Sequence, residues 1–232
     1  MVEFLSPATV RTVTPALDEL TVTGTPDAWA KLGFALDGDT CVVGDVRIRL
    51  ADSDAGTGLV GWSLREVGST ELDGLPTAQS NRPPPCEQPV HPNGVSGLDH
   101  VVAITPALDR TVAVLKEAGL DLRRIREEPT PAGAPRQAFF RLGPTILEVV
   151  QEPAEATERA GGDRPAFFWG LALISSDLDA TVAGLGDRVS EIRPAVQPGR
   201  RIATLRRSAG LTVPVALMTP AAGRGDGHGA LL

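Results

Sequence analysis

The chain carries three histidines and two cysteines, the side chains best suited to hold a metal or to move a proton near neutral pH. One of them, His100, stands in GLDHVVAITPALDRTVAVL (97–115), at the mouth of a short apolar strand pattern that runs straight into a helical one. Related lines occur twice more. WGLALISSDLDATVAGL (169–185) has Gly170 in the histidine's place, and ALDELTVTGTPDAWAKLGF (16–34) has Glu19 there. The imidazole therefore serves a site present in one copy of a repeat, or it packs. The other candidates are weaker. His91, in HPNG, reads as a solvated turn residue. Cys41 and Cys86 have no C-x-x-C spacing, and two cysteines make no disulfide framework. GTGLVG (56–61) matches the dinucleotide glycine pattern but leads into the strand-like WSLREV instead of a helix, so it is set aside. No G-x-S-x-G, Walker A or H-E-x-x-H motif occurs.

The elements that must position these residues follow from periodicity. ITPALD (104–109) and ISSDLD (174–179) each follow an apolar strand, HVVAI or LALI, and each lead into a helix. Thr105 is expected as the N-cap, with Pro106 at the first helical position. Leu108, Val112 and Leu115 fall at i, i+4 and i+7, one helical face, and Leu178, Val182 and Leu185 repeat the spacing. Both passes continue with two strands, QAFFRL and TILEVV in one, IATLRR and VPVALM in the other, after a charged strand and a Pro/Gly turn. Each reads strand, helix, strand, strand, strand. The first pass is looser: LDELTV, a short helix over TPDAWAKLGF with Trp29 and Leu32 on one face, CVVGDVRIRLA, and LVGWSLREV as a last strand. The pattern predicts an α+β fold of repeated βαβββ modules, each a helix on a small, mostly antiparallel sheet. The expected division is a divergent N-terminal module plus linker (1–86), a central module (87–153), a third module (154–220) and a disordered Gly-rich tail (221–232). The Pro-rich stretch 68–97 and the stretch 152–166 read as linkers. Phe139, Phe140, Phe167, Phe168 and Trp169 read as sheet core, with some free to line an apolar pocket.

A repeated strand–helix–three-strand unit with a histidine on its first strand and a glutamate on its last resembles the vicinal oxygen chelate superfamily. This group holds glyoxalases, extradiol dioxygenases and bleomycin-resistance proteins. The residues that carry the resemblance are GLDHVVAITPALDRTVAVL with QAFFRLGPTILEVV (137–150), which brings in Glu148. It covers 97–151 well, 167–219 in pattern, and 16–67 faintly. The resemblance implies a cup-shaped mixed sheet made of paired modules. It also implies a divalent metal ion (Zn, Ni, Mn or Fe) held by His100 and Glu148, with Glu148 taking part in catalysis on a small oxygen-chelating substrate. Imidazole nitrogen and carboxylate oxygen suit such an ion, which polarises substrate oxygens. The third pass departs from this, offering Gly170 opposite His100 and Val215 or Ala216 opposite Glu148. If the first and second passes pair, Glu19 joins as a third ligand, and Arg65 is poised for an anionic substrate. If the second and third pair, as their closer match and short linker suggest, only two ligands exist. Two functions stay open: a metal-dependent lyase, isomerase or dioxygenase, and a metal-free small-molecule binder resembling bleomycin-resistance proteins.

The whole chain bounds the rest. A net charge of −7 and a pI near 5.0 argue against a nucleic-acid partner, which needs a basic face. The N-terminus lacks a charged region followed by an apolar run, and no apolar window is long enough for a membrane span. A cytoplasmic protein with a small-molecule ligand is expected, and an exposed module edge suggests a homodimer.

Overall fold

A computed structural model describes residues 14–130 and 133–221. The tail expected to be disordered lies outside the described residues but for Ala221, as does the stretch 1–13. The first half contains β1 (Ala16–Thr23), α1 (Pro26–Ala30), β2 (Thr40–Val43), β3 (Val46–Ala51), β4 (Leu59–Arg65), β5 (Glu71–Leu72) and β6 (Leu75–Ser80). The second begins with β7 (Val95–Thr105), α2 (Leu108–Glu117), β8 (Asp121–Arg126), β9 (Gln137–Leu142) and β10 (Thr145–Gln151). After α3 (Ala154–Arg159) come β11 (Phe167–Ser175), α4 (Leu178–Leu185), β12 (Arg193–Pro194), β13 (Arg201–Thr204) and β14 (Val215–Met218). They form one sheet in the order β2-β3-β1-β4-β6-β5 and another in the order β12-β13-β14-β11-β7-β10-β9-β8.

The second sheet is two βαβββ modules joined through their first strands, β7 antiparallel to β11. Within each module the last strand returns parallel to the first, β10 on β7 and β14 on β11. Alternation explains the layering. Val101, Ala103, Leu147 and Val149 are buried on the helix-covered face, while Val102, Ile146 and Glu148 between them stay partly open. On α2, Leu108, Val112 and Leu115 meet that buried face as their spacing predicts. Each fully buried leucine there contributes roughly 1.5–3 kcal/mol. Thr105 is not the N-cap. It still belongs to β7, paired with Gln151, so the helix begins at Leu108 after an uncapped Ala107. The Thr105 hydroxyl instead accepts from the Ala107 N–H at 3.1 Å and from Thr111 Oγ1 at 2.8 Å.

The first sheet is built on the same plan, abbreviated. β3 returns parallel to β1, but LVGWSLREV does not close that unit. Its strand β4 runs antiparallel to β1 and takes β6 parallel to itself, so it opens a further, helix-less unit. Strands β5 and β6 accordingly lie in residues read as linker, and α3 lies in the other stretch so read. The registers of the two sheets correspond. Glu19 faces Ser63 and Thr21 faces Gly61, as His100 faces Ala172 and Val102 faces Gly170. All four central strands carry a one-residue bulge at matching places: Asp18, Val60, Asp99 and Trp169.

The halves share one apolar core, in which Trp62 on β4 meets Phe168 on β11 edge-on at 5.0 Å between ring centres. Arg110 on α2 bridges Asp73, at the β5–β6 turn, and Asp163. Among the described residues no helix is long and apolar enough to cross a membrane.

Candidate functional site

β7 and β10 are neighbours with His100 opposite Ile146 and Glu148 opposite Val102, which puts both side chains on the open face. His100 Nε2 lies 3.5 Å from Glu148 Oε2, just outside hydrogen-bond range, so an oxygen seated over the pair, off the line that joins them, can touch both. The bulge at Asp99 swings its carboxylate alongside the ring, where it accepts from His100 Nδ1 at 2.7 Å. A carboxylate only accepts, so Nδ1 carries a proton, and in the singly protonated ring the Nε2 lone pair faces Glu148. Arg200 completes the chain, donating to Asp99 Oδ1 at 2.6 Å and to the Thr219 carbonyl at 2.7 Å. On the far side Gln137 Nε2 donates to Glu148 Oε1.

The two acids are driven in opposite directions. Burial opposes ionisation of Asp99, but hydrogen bonds from His100 and Arg200 outweigh it and hold the carboxyl below its ordinary range. Burial raises Glu148, and the nearby imidazole and the Gln137 bond do not offset it. At the floor stand a carboxylate held in its charged form and a second carboxyl whose pKa burial raises. Above them opens a cavity of about 320 Å³ lined by Phe139, Arg141, Ile146, Ile174 and Arg200.

No family model and no curated protein matches the chain. Solved structures do. A xylose isomerase-like TIM barrel/4-hydroxyphenylpyruvate dioxygenase fusion protein aligns over 90% of this chain at 15% identity and a TM-score of 0.58. The alignment covers 50% of that protein, so the chain spans about half its length. The chain has the vicinal oxygen chelate fold. Methylmalonyl-CoA epimerase from Mycobacterium tuberculosis aligns over 55% of this chain and 90% of its own, at 22% identity and a TM-score of 0.44. The Streptomyces coelicolor methylmalonyl-CoA epimerase solved with 2-nitronate-propionyl-CoA aligns over 55% and 96%, at 23% identity and 0.45.

The metal that this fold suggests can be tested against the donors present. His100 Nε2 and Glu148 Oε2 converge, but among the described residues a third ligand does not. Across the junction the vicinal oxygen chelate positions hold Gly170, Ala172 and Ala216, none of which has a donor atom. Both Asp99 oxygens are committed. Glu19 is not brought to His100. It sits in the other sheet, because β7 pairs with β11 and not with the first pass, and its carboxylate is taken by Arg49 and Arg82. Arg65 is likewise spent on Asp18 and the Leu17 carbonyl. Among the described residues no three His, Cys, Asp or Glu side chains are placed to hold an ion. The described residues do not fit a resident metal.

Gly170 has its own explanation. A Cβ there would stand 2.8 Å from the Pro214 carbonyl oxygen, and at the corresponding Gly61 a Cβ would stand 3.3 Å from the Pro76 carbonyl oxygen. Both glycines let a proline-bearing segment approach the first strand. Of the five aromatics read as core, Phe140 and Phe168 are buried. Phe139 lines the cavity, and Phe167 and Trp169 are 37% and 49% exposed. Alternation along QAFFRL puts Gln137, Phe139 and Arg141 on the Glu148 face, a signal the sequence reading left unused. Arg200 comes from the turn before β13, where no periodicity announces it.

Proposed function

We propose that the chain is a metal-free small-molecule-binding protein of the vicinal oxygen chelate fold, with its ligand seated over His100 and Glu148. The observation that carries this reading is the two-donor floor itself. Nε2 and Oε2 are held 3.5 Å apart by Asp99 and Gln137, beneath a cavity of about 320 Å³, with no third metal ligand beside them among the described residues. That volume sits at the small end of the roughly 300–1,000 Å³ usual for ligand sites. Preset tautomer and a half-buried carboxyl suit hydrogen bonding to a ligand oxygen: Glu148 donates when protonated, and His100 accepts.

The test is a metal analysis of the purified chain together with a ligand-observed NMR screen of small organic fragments. Substoichiometric metal, a melting temperature unmoved by chelator, and hits lost in both His100→Ala and Glu148→Gln are expected. Stoichiometric metal that disappears in His100→Ala would overturn the reading in favour of the metal-dependent enzyme. Hits that persist in both variants would move the ligand elsewhere.

A further inference from the structure

The charges around the cavity are unevenly spent. Asp99 is paired with Arg200, whose exposure is only 9%, so those two cancel. Glu148 is bonded to Gln137 and faces the imidazole. Arg141 remains. It is exposed, forms no ion pair among the described residues (Asp121, opposite it on β8, is bonded to Arg123), and makes one long contact of 3.4 Å to the Gly143 carbonyl. Its register is informative. Arg141 faces Ile146 on β10, and Ile146 faces His100 on β7, so the three stand in one row across the sheet on the open face. Two strand spacings of about 4.8 Å separate the ends of that row at the backbone, and an apolar step lies between them.

We propose, resting on the cup reading above, that the ligand is a small organic carboxylate. Its anionic head is taken by Arg141, its apolar middle lies on Ile146 and Phe139, and an oxygen at the other end reaches His100 and Glu148. A planar guanidinium with unspent donors recognises carboxylates and phosphates bidentately. With Asp99 and Arg200 cancelling, a single free guanidinium balances a monoanion better than a phosphate dianion. The apolar row between head and floor has no use in binding an inorganic ion.

The probes are phenylacetate, its amide phenylacetamide and inorganic phosphate, titrated into the full chain and read by NMR. Phenylacetate is expected to bind, the amide about tenfold or more weakly, and phosphate to cause no shift at the His100 ring. Arg141→Gln should bring phenylacetate down to the level of the amide and leave the amide unchanged, while Arg141→Lys recovers part of the difference. Arg141 is exposed, so these variants fold. Equal binding of acid and amide to the parent chain overturns the carboxylate inference and leaves the cup reading standing. So does an Arg141→Gln variant that binds phenylacetate as the parent does. Binding of neither probe also overturns it, and the fragment screen then judges the cup by itself. Saturable phosphate binding lost in Arg141→Gln would replace the carboxylate by a phosphate ligand.

Discussion

One buried carboxylate organises the first sheet. Asp18, with a fully buried side chain, accepts from Arg47 on β3 at 2.5 Å, Arg65 on β4 at 2.8 Å, Ser80 at the end of β6 at 2.6 Å and Arg82 just beyond it at 3.0 Å. Burial works against its charge, yet the bonds from Ser80 and Arg82 and the surrounding guanidiniums hold the carboxyl below its usual range. Asp18→Asn leaves those arginines without a counter-charge in a water-poor setting. The expected loss is about 3–5 kcal/mol of unfolding free energy, measured by urea titration. A loss under about 1 kcal/mol would show that Glu19 alone can hold them. Because the folded pKa lies below the unfolded one, this stabilisation is complete above the ordinary carboxylate value of 3.8 and is lost as pH falls through the folded value.

At the scale of elements, the bulge decides which residues can act. Without it, Asp99 and His100 would point to opposite faces of β7; with it, Asp99 can set the proton on His100. Gly170→Ala would force a methyl group against the Pro214 carbonyl, so β14 must shift off β11. We expect destabilisation of roughly 1–3 kcal/mol by denaturant titration, and a smaller loss for Gly61→Ala, whose contact is looser. Equal, negligible losses would mean that the strands slide freely. These elements also show what could be read beforehand. The second and third passes were legible because their helices carry a strict i, i+4, i+7 apolar spacing and their strands alternate, which brought His100 and Glu148 to one face. The first sheet was legible as far as β4 and no further, because its second unit has lost the helix that marks a pass and its strands β5 and β6 sit among prolines and glycines. Arg200 was invisible for a related reason: a turn residue acting on a strand 101 positions away leaves no periodic trace.

At the scale of the molecule, the halves are tied by the Pro-rich segment 81–94, and His91 is its buckle. The ring is 3% exposed, its Nδ1 accepts from the Ala35 N–H at 3.0 Å, and its Nε2 lies 2.9 Å from the Val42 carbonyl, to which it donates. This turn residue is thus buried and fully bonded, not solvated. Burial lowers its pKa more than the Val42 bond raises it. The unfolded chain therefore binds more protons once pH drops through about 6.5, and stability should fall with pH from there down to the folded value. His91→Gln should flatten that part of the profile; an unchanged slope would place the titration elsewhere. The close approach of Pro214 to Gly170 has a further consequence, for the order in which this molecule can change. A donor side chain at 170 would collide with the Pro214 segment, whereas Ala172, which faces His100, already carries a Cβ. A third donor beside the pair could therefore be introduced at 172 with β14 in place, but at 170 only after β14 has moved, and Gly61 with Pro76 sets a looser version of that barrier in the other half.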